Sequence, residues 1–251
     1  MTLRQLFYRL LSESLIPNRD AAYKRVSALT AEGRRAGTFP ALVDHTREIR
    51  MTSWWEDPAE AIASLADQYR VDRTSGQEWS IYLGAEKATM QSLLEAWFGE
   101  LGLPVLLLRG YGSQTYLDDI VAHVRAARER PAALIYAGDL DPSGEDIERD
   151  FLERTAEAEW DQVARVAVLA EHLDRLQLVK QPGKPQDPRA PAFRAKYGEL
   201  FQVEVEAIEP DTLREIYQAE IDVRWDKSQF DWQLQQERED RTAILDLAST
   251  L

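Results

Sequence analysis

The sequence predicts an α/β chain: a small basic helical module, then a parallel four-stranded sheet flanked by helices. Three observations carry that prediction. From residue 79 onward, short apolar runs alternate with helix-length stretches, the pattern of strands joined by right-handed crossovers. Residues 1–50 hold two helix-length stretches and nine Lys/Arg against five acids. Residues 134–147 read as an apolar strand, a turn holding two carboxylates, and the start of a helix.

Taken in order, residues 2–14 read as a helix. Thr2 is an N-cap residue, and Leu3, Leu6, Phe7, Leu10 and Leu11 recur at helical spacing. Arg4 and Tyr8 are four apart, so they share a face beside the apolar stripe. Pro17-Asn18 breaks the chain. Residues 20–35 read as a second helix that offers Lys24, Arg25, Arg34 and Arg35 to phosphates, and Gly37 fits its stop. Arg47 extends the basic set. Two helices joined by a tight turn, the second one basic, fit a helix-turn-helix or winged-helix module, with a plain helical hairpin as the equal alternative.

Residues 38–56 look irregular and 58–69 helical. The polar connection at 72–77 divides the chain into a first domain over 1–72 and a second over 78–251. Strands are expected at 79–83, 105–108, 132–137 and 163–169, with helices at 87–101, 115–129 and 145–158. Residues 180–192 hold four prolines and a glycine and read as a loop. Residues 201–208 alternate as a strand would. Pro210 opens an amphipathic helix to 224, and the tail from 227 reads as a solvated or dimer-contact helix.

Composition narrows the chemistry. The chain has no cysteine, so disulfides and thiolate metal sites are excluded, and with three histidines a histidine-rich zinc site is not expected. No apolar run reaches membrane length and no signal peptide is read, so a reducing cytoplasmic compartment and no membrane partner are expected. The net charge of −14 argues against a protein that coats nucleic acid. Its distribution is uneven: residues 1–50 carry +4, which leaves −18 to the remainder. A basic segment on an acidic body reserves one face for a polyanion.

Asp139 and Asp141 are two apart, so in extended backbone they point to one side. At the carboxyl end of a buried strand they stand where open α/β sheets hold ligands. Two such carboxylates repel unless a cation or proton lies between them. Hard oxygen ligands suit Mg²⁺, or Mn²⁺ in its place. An isolated Asp-x-Asp is more often a solvated turn capping a helix. Here a third acid, Glu86, follows the first sheet strand, and crossovers bring parallel strand ends together.

A glutamate after the first strand and an Asp-x-Asp after the third resemble the Toprim arrangement of topoisomerases, bacterial primases and some nucleases. Thr2-Leu3-Arg4-Gln5-Leu6-Phe7-Tyr8 resembles the catalytic-tyrosine motif of the topoisomerase VI A subunit and the related meiotic double-strand-break protein: an Arg, three residues, then Tyr as the second of two aromatics. Asp139-Leu140-Asp141-Pro142-Ser143-Gly144 and Glu86-Lys87 are similar to the same family's Toprim motifs. The resemblance covers residues 2–50 and 79–170 and is closest to short stand-alone A-subunit-like proteins of bacterial mobile elements. It implies a winged-helix domain bearing Tyr8, a Toprim domain binding Mg²⁺ through Glu86, Asp139 and Asp141, and double-stranded DNA as substrate. It further implies a homodimer in which tyrosine and metal site come from different subunits, and an ATPase B-type subunit encoded separately.

On that resemblance Tyr8 is the nucleophile, Arg4 its electrostatic partner, and Glu86 both catalytic and metal-binding. Two other functions compete. One is a Toprim nuclease that hydrolyses DNA with metal-activated water, Tyr8 being structural. The other is a non-catalytic DNA-binding partner subunit.

Overall fold

The computed structural model describes residues 1–13, 15–17, 19–43, 52, 54–108, 110 and 112–249. Helix α1 (Leu3–Ser12) begins at a reciprocal cap: Gln5 N–H donates to Thr2 Oγ1, and Thr2 N–H donates to Gln5 Oε1. Helix α2 (Asp20–Arg35) has an acid in its first turn and Arg34 and Arg35 in its last, both matched to the helix dipole. Phe7 of α1 is buried and meets Tyr23 of α2 edge-on at 5.2 Å, which closes the helical hairpin. After Gly37, whose φ is +70°, the described residues before α3 (Pro58–Gln68) form no strand, so among them no wing is seen.

The second part is the expected parallel sheet. Its strands are β1 (Ser80–Ala85), β2 (Val105–Leu107), β3 (Ala132–Ala137) and β4 (Gln162–Ala167), in the order β2-β1-β3-β4. Every residue of β1 and β3 is buried, as fits central strands covered on both faces. On one face pack α4 (Ala88–Phe98) and α9 (Pro210–Asp222), through Met90, Leu94, Phe98, Leu213, Tyr217 and Ile221. On the other pack α5 (Gln114–Ala126) and α6 (Pro142–Arg154), through Leu117, Ile120, Val124, Ile147 and Phe151. Each such side chain contributes about 1.5–3 kcal/mol of burial. Tyr217, fully buried, donates its hydroxyl to Gly84 O at 2.7 Å and so ties α9 to the middle of the sheet.

One register fact positions the site. In the β1–β3 pair Ala85 lies opposite Ala137, so the residues after both strands leave the sheet side by side. They run into Glu86 on one strand and Gly138-Asp139 on the other.

Three expectations need correction, and one helix comes in addition. Helix α6 starts at Pro142, not at 145, because Asp141 is its N-cap and Pro142 suits the first turn. Residues 180–192 are not all loop: Gln181–Pro182 form β5, and α8 (Ala190–Tyr197) begins inside the stretch. Residues 201–208 are not one strand. Phe201–Gln202 form β6, antiparallel to β5, Val203 makes a single bridge to Leu140, and Val205–Ala207 wind into a 3₁₀ turn. Helix α7 (Ala170–Arg175) was not anticipated.

Helix α10 (Lys227–Ala248) packs along α3. Between them Arg73 and Glu237, both buried, form a two-bond ion pair at 2.9 and 2.7 Å. The polar connection at 72–77 is thus anchored, with Gln77 also buried. Among the described residues no helix is long and apolar enough to cross a membrane.

Candidate active site at the carboxyl edge of the sheet

Glu86 and Asp139 meet as the register requires. Glu86 Oε2 accepts the Asp139 backbone N–H at 2.8 Å, which locks the two strand-end loops together. Asp139 is 7% exposed, and both of its oxygens are engaged: Oδ1 accepts Val205 N–H at 2.9 Å, and Oδ2 faces the Lys87 ammonium at 2.9 Å. Asp141 caps α6, its Oδ1 accepting Gly144 N–H at 2.7 Å. Two glycines make this packing feasible. A Cβ on Gly144 would lie 2.2 Å from Asp139 O and 3.3 Å from Glu86 Oε2, and one on Gly138 would lie 2.0 Å from the Tyr136 hydroxyl oxygen.

Among the described residues no three acidic or histidine side chains converge closely enough to hold a metal as they stand. The reason lies in their hydrogen bonds, since Asp139 is occupied and Asp141 is turned partly onto a helix. Glu86 Oε1 and Asp141 Oδ2 carry no hydrogen bond among the described residues, and these two oxygens are what the site offers a cation.

Tyr8 and Arg4 join this edge from α1, which packs on the 3₁₀ turn Val205–Ala207 of the same chain. Arg4 pairs with Glu204 at 3.1 Å and Glu206 at 3.0 Å, and the Tyr8 hydroxyl faces the Glu204 carboxylate. Lys87 lies at the centre, 2.9 Å from Asp139 and Glu204 and 3.3 Å from Glu206. Thr89 donates its hydroxyl to Glu206 Oε1 at 2.8 Å. Four carboxylates and two cations therefore form one network running from beside Tyr8 to Glu86.

The electrostatics follow from burial and crowding. Burial and the Asp139 charge push Glu86 up to about 7, Asp141 adding to the rise and Asp139 N–H and Lys87 opposing it. Burial also raises Asp139, against the pull of Lys87 and the Val205 amide. Burial works to raise Glu204 too, but Lys87, the Tyr8 hydroxyl and Arg4 outweigh it and hold that carboxyl down at about 2. The Tyr8 phenol is raised by burial, then by the Glu204 carboxylate beside it, with Arg4 opposing. In the free chain Tyr8 is a neutral phenol.

Three participants were not singled out from the sequence. Glu204 and Glu206 had a signal, an acid–apolar–acid alternation with the same i, i+2 spacing as Asp139 and Asp141. Arg165 of β4 had none. It donates to Asp139 O at 2.7 Å and Gly138 O at 3.1 Å, and pairs with Glu148, holding the loop between β3 and α6 from behind.

The basic residues of α2 stand apart from this network. Lys24, Arg25, Arg34 and Arg35 are all exposed. Lys24 and Arg35, eleven apart, are close to three turns and so lie along one side of the helix. Arg47 lies outside the described residues. Comparison of the sequence with known proteins finds no matching family model and no matching curated relative.

Proposed function

We propose that the chain is a metal-dependent DNA-cleaving enzyme that works by transesterification through Tyr8, in the manner of a type IIB topoisomerase A subunit. One observation carries the reading: Tyr8 and Arg4 stand against Glu204, and Lys87 joins Glu204 to Asp139, whose backbone N–H is held by Glu86. The winged-helix and Toprim assignments and the separate ATPase subunit belong to the same proposal, as does a homodimer, but here Tyr8 stands with the strand-end acids of its own chain, so the dimer is not the source of the tyrosine.

The residues fit a hard divalent cation. Mg²⁺ is commonly held by one or two carboxylates together with substrate phosphate and water. Glu86 and Asp141 each keep an oxygen for it, while Asp139 positions the loop that carries them. When bound, the cation would polarise the scissile phosphate and neutralise charge developing on it.

The chain's own groups then divide the work. The Tyr8 oxygen attacks phosphorus, a new P–O bond forms, and the bond to the 3′ oxygen of the neighbouring nucleotide breaks. This leaves a 5′-phosphotyrosyl link. The phenolic proton passes to the Glu204 carboxylate that faces it. That carboxylate is a weak base while Lys87 and Arg4 face it, and it becomes a better one as those cations turn to phosphate oxygens. The 3′ oxygen takes its proton from solvent, and Glu86 acts through the cation it would hold.

The raised phenol of Tyr8 favours one other reading, hydrolysis by metal-activated water with Tyr8 as a structural residue. Denaturing electrophoresis of protein incubated with labelled DNA and Mg²⁺ or Mn²⁺ separates the two. Transesterification gives a protein–DNA adduct that Tyr8→Phe abolishes and Arg4→Ala weakens, with melting temperatures retained. Cleavage retained in Tyr8→Phe, with no adduct in any variant, assigns the hydrolytic reading. Duplex binding without cleavage by any variant, in the presence of either metal, points to the partner-subunit role.

A further inference from the structure

A cavity of about 440 Å³ opens beside Tyr8, between the α1–α2 hairpin and the segment from the end of α7 to β6. That volume is within the range of small-ligand pockets. Its walls are apolar and carboxamide, with the charged Arg4, Asp20 and Glu204 also lining it. Phe7, Leu11, Leu176 and Leu178 give it an apolar lining, and the rings of Tyr8 and Tyr23 stand at its edge. Gln177, Gln181 and Gln202 supply three carboxamides.

The amides are placed by the fold. Gln181 and Gln202 are opposite one another in the antiparallel β5–β6 pair, so their side chains project together on one side. Gln177 sits in the turn after α7 with φ at +51°, a conformation uncommon for a residue with a side chain. None of the three side chains has a hydrogen-bond partner among the described residues, and neither does the Tyr23 hydroxyl. Arg19, unpaired among the described residues, stands at the rim next to Asp20.

We propose that this cavity takes one nucleotide of a DNA strand, its base drawn out of the stack and seated between the aromatic and aliphatic walls. A carboxamide presents a donor and an acceptor side by side, which matches the donor–acceptor edge of a base. Flat apolar and aromatic walls match its face. Arg19 at the rim suits the phosphate. The inference rests on the proposed function for the reason a strand would lie here, but the pocket's binding is measurable without cleavage.

The test is calorimetric titration of the full chain with dAMP and with a single-stranded dA trinucleotide, in EDTA so that no metal takes part. Both should bind. Gln181→Leu with Gln202→Leu, which keeps the volume and removes the polar groups, should weaken them by about tenfold or more. Gln177→Leu is the second variant, should the double one fold poorly. Lys227→Gln, at the exposed start of α10 and away from the cavity, should leave mononucleotide affinity unchanged. Absence of nucleotide binding to the wild type, or equal binding by folded glutamine variants, overturns the proposal. Nucleotide binding without any protein–DNA adduct keeps the pocket and rejects Tyr8 as nucleophile. An adduct without nucleotide binding does the reverse.

Discussion

The Lys87 ammonium lies 2.9 Å from Asp139 Oδ2, and the two side chains are 22% and 10% exposed. The same ammonium holds Glu204 and Glu206. Its protonated form is favoured despite burial, because three carboxylates surround it. Lys87→Met removes that charge and leaves Asp139 buried opposite an apolar group. Chemical denaturation should show a loss of about 2–4 kcal/mol. A loss below about 0.5 kcal/mol would mean that solvent screens the pair, as it does at a surface.

Gly144→Ala tests the close approach of α6 to the loop after β3. The added methyl has backbone, not a flexible side chain, 2.2 Å away, so the helix start or the Asp139 carbonyl must move. Overpacking of this kind costs about 1–3 kcal/mol. Metal-dependent cleavage should be lost together with the drop in melting temperature. An unchanged melting temperature would show that the loop yields without cost.

Glu86 sets a pH dependence. Its ordinary value is 4.5, and in the folded chain it is pushed up to about 7. Between those values the folded state binds a proton that the unfolded state has released. The stability this group contributes is therefore fully present below about 4.5 and falls as the pH rises to about 7. Glu86→Gln does not titrate. In metal-free buffer, the unfolding free energy of wild type minus that of Glu86→Gln should decline across this window and level off above it. A difference that stays constant from pH 4.5 to 7 would contradict the crowding of the acids.

The exposed cations of α2 predict how duplex binding responds to salt. Each lysine or arginine that neutralises a phosphate adds about 0.9 to the slope of log affinity against log salt. Lys24→Gln with Arg25→Gln, and Arg34→Gln with Arg35→Gln, should each flatten that slope by about 1–2 and leave melting temperatures within a degree or two of wild type. Identical slopes in wild type and both variants would move the DNA contact elsewhere.

Much of the fold could be read from local pattern because local pattern decided it. The span of α2 is bounded by Asp20 in its first turn and a stop at Gly37, and β3 is an unbroken apolar run. Glu86 and Asp139 could be paired because parallel strands leave a sheet at the same edge. Residues 201–208 misled for a long-range reason. Their alternation fits a strand, yet the backbone turns after Val203 so that Val205 N–H can reach Asp139, a contact 66 residues away. That turn also delivers Glu204 and Glu206 to Lys87, so the site's second pair of acids was hidden by the same misreading. Arg165 was illegible because its partners are backbone carbonyls, which every residue has.

The ion pair of Arg73 with Glu237 joins residues 164 apart in sequence. During synthesis Arg73 is made long before its counter-charge exists. Closing so long a span carries an entropy cost that only the finished interface can offset. The strands can pair while α10 is still unmade, but α3 then has its packing face open and Arg73 has no carboxylate at position 237 to meet. Docking of α3 therefore waits for α10, and a premature stop before residue 227 would release a molecule with its sheet made and α3 unfastened.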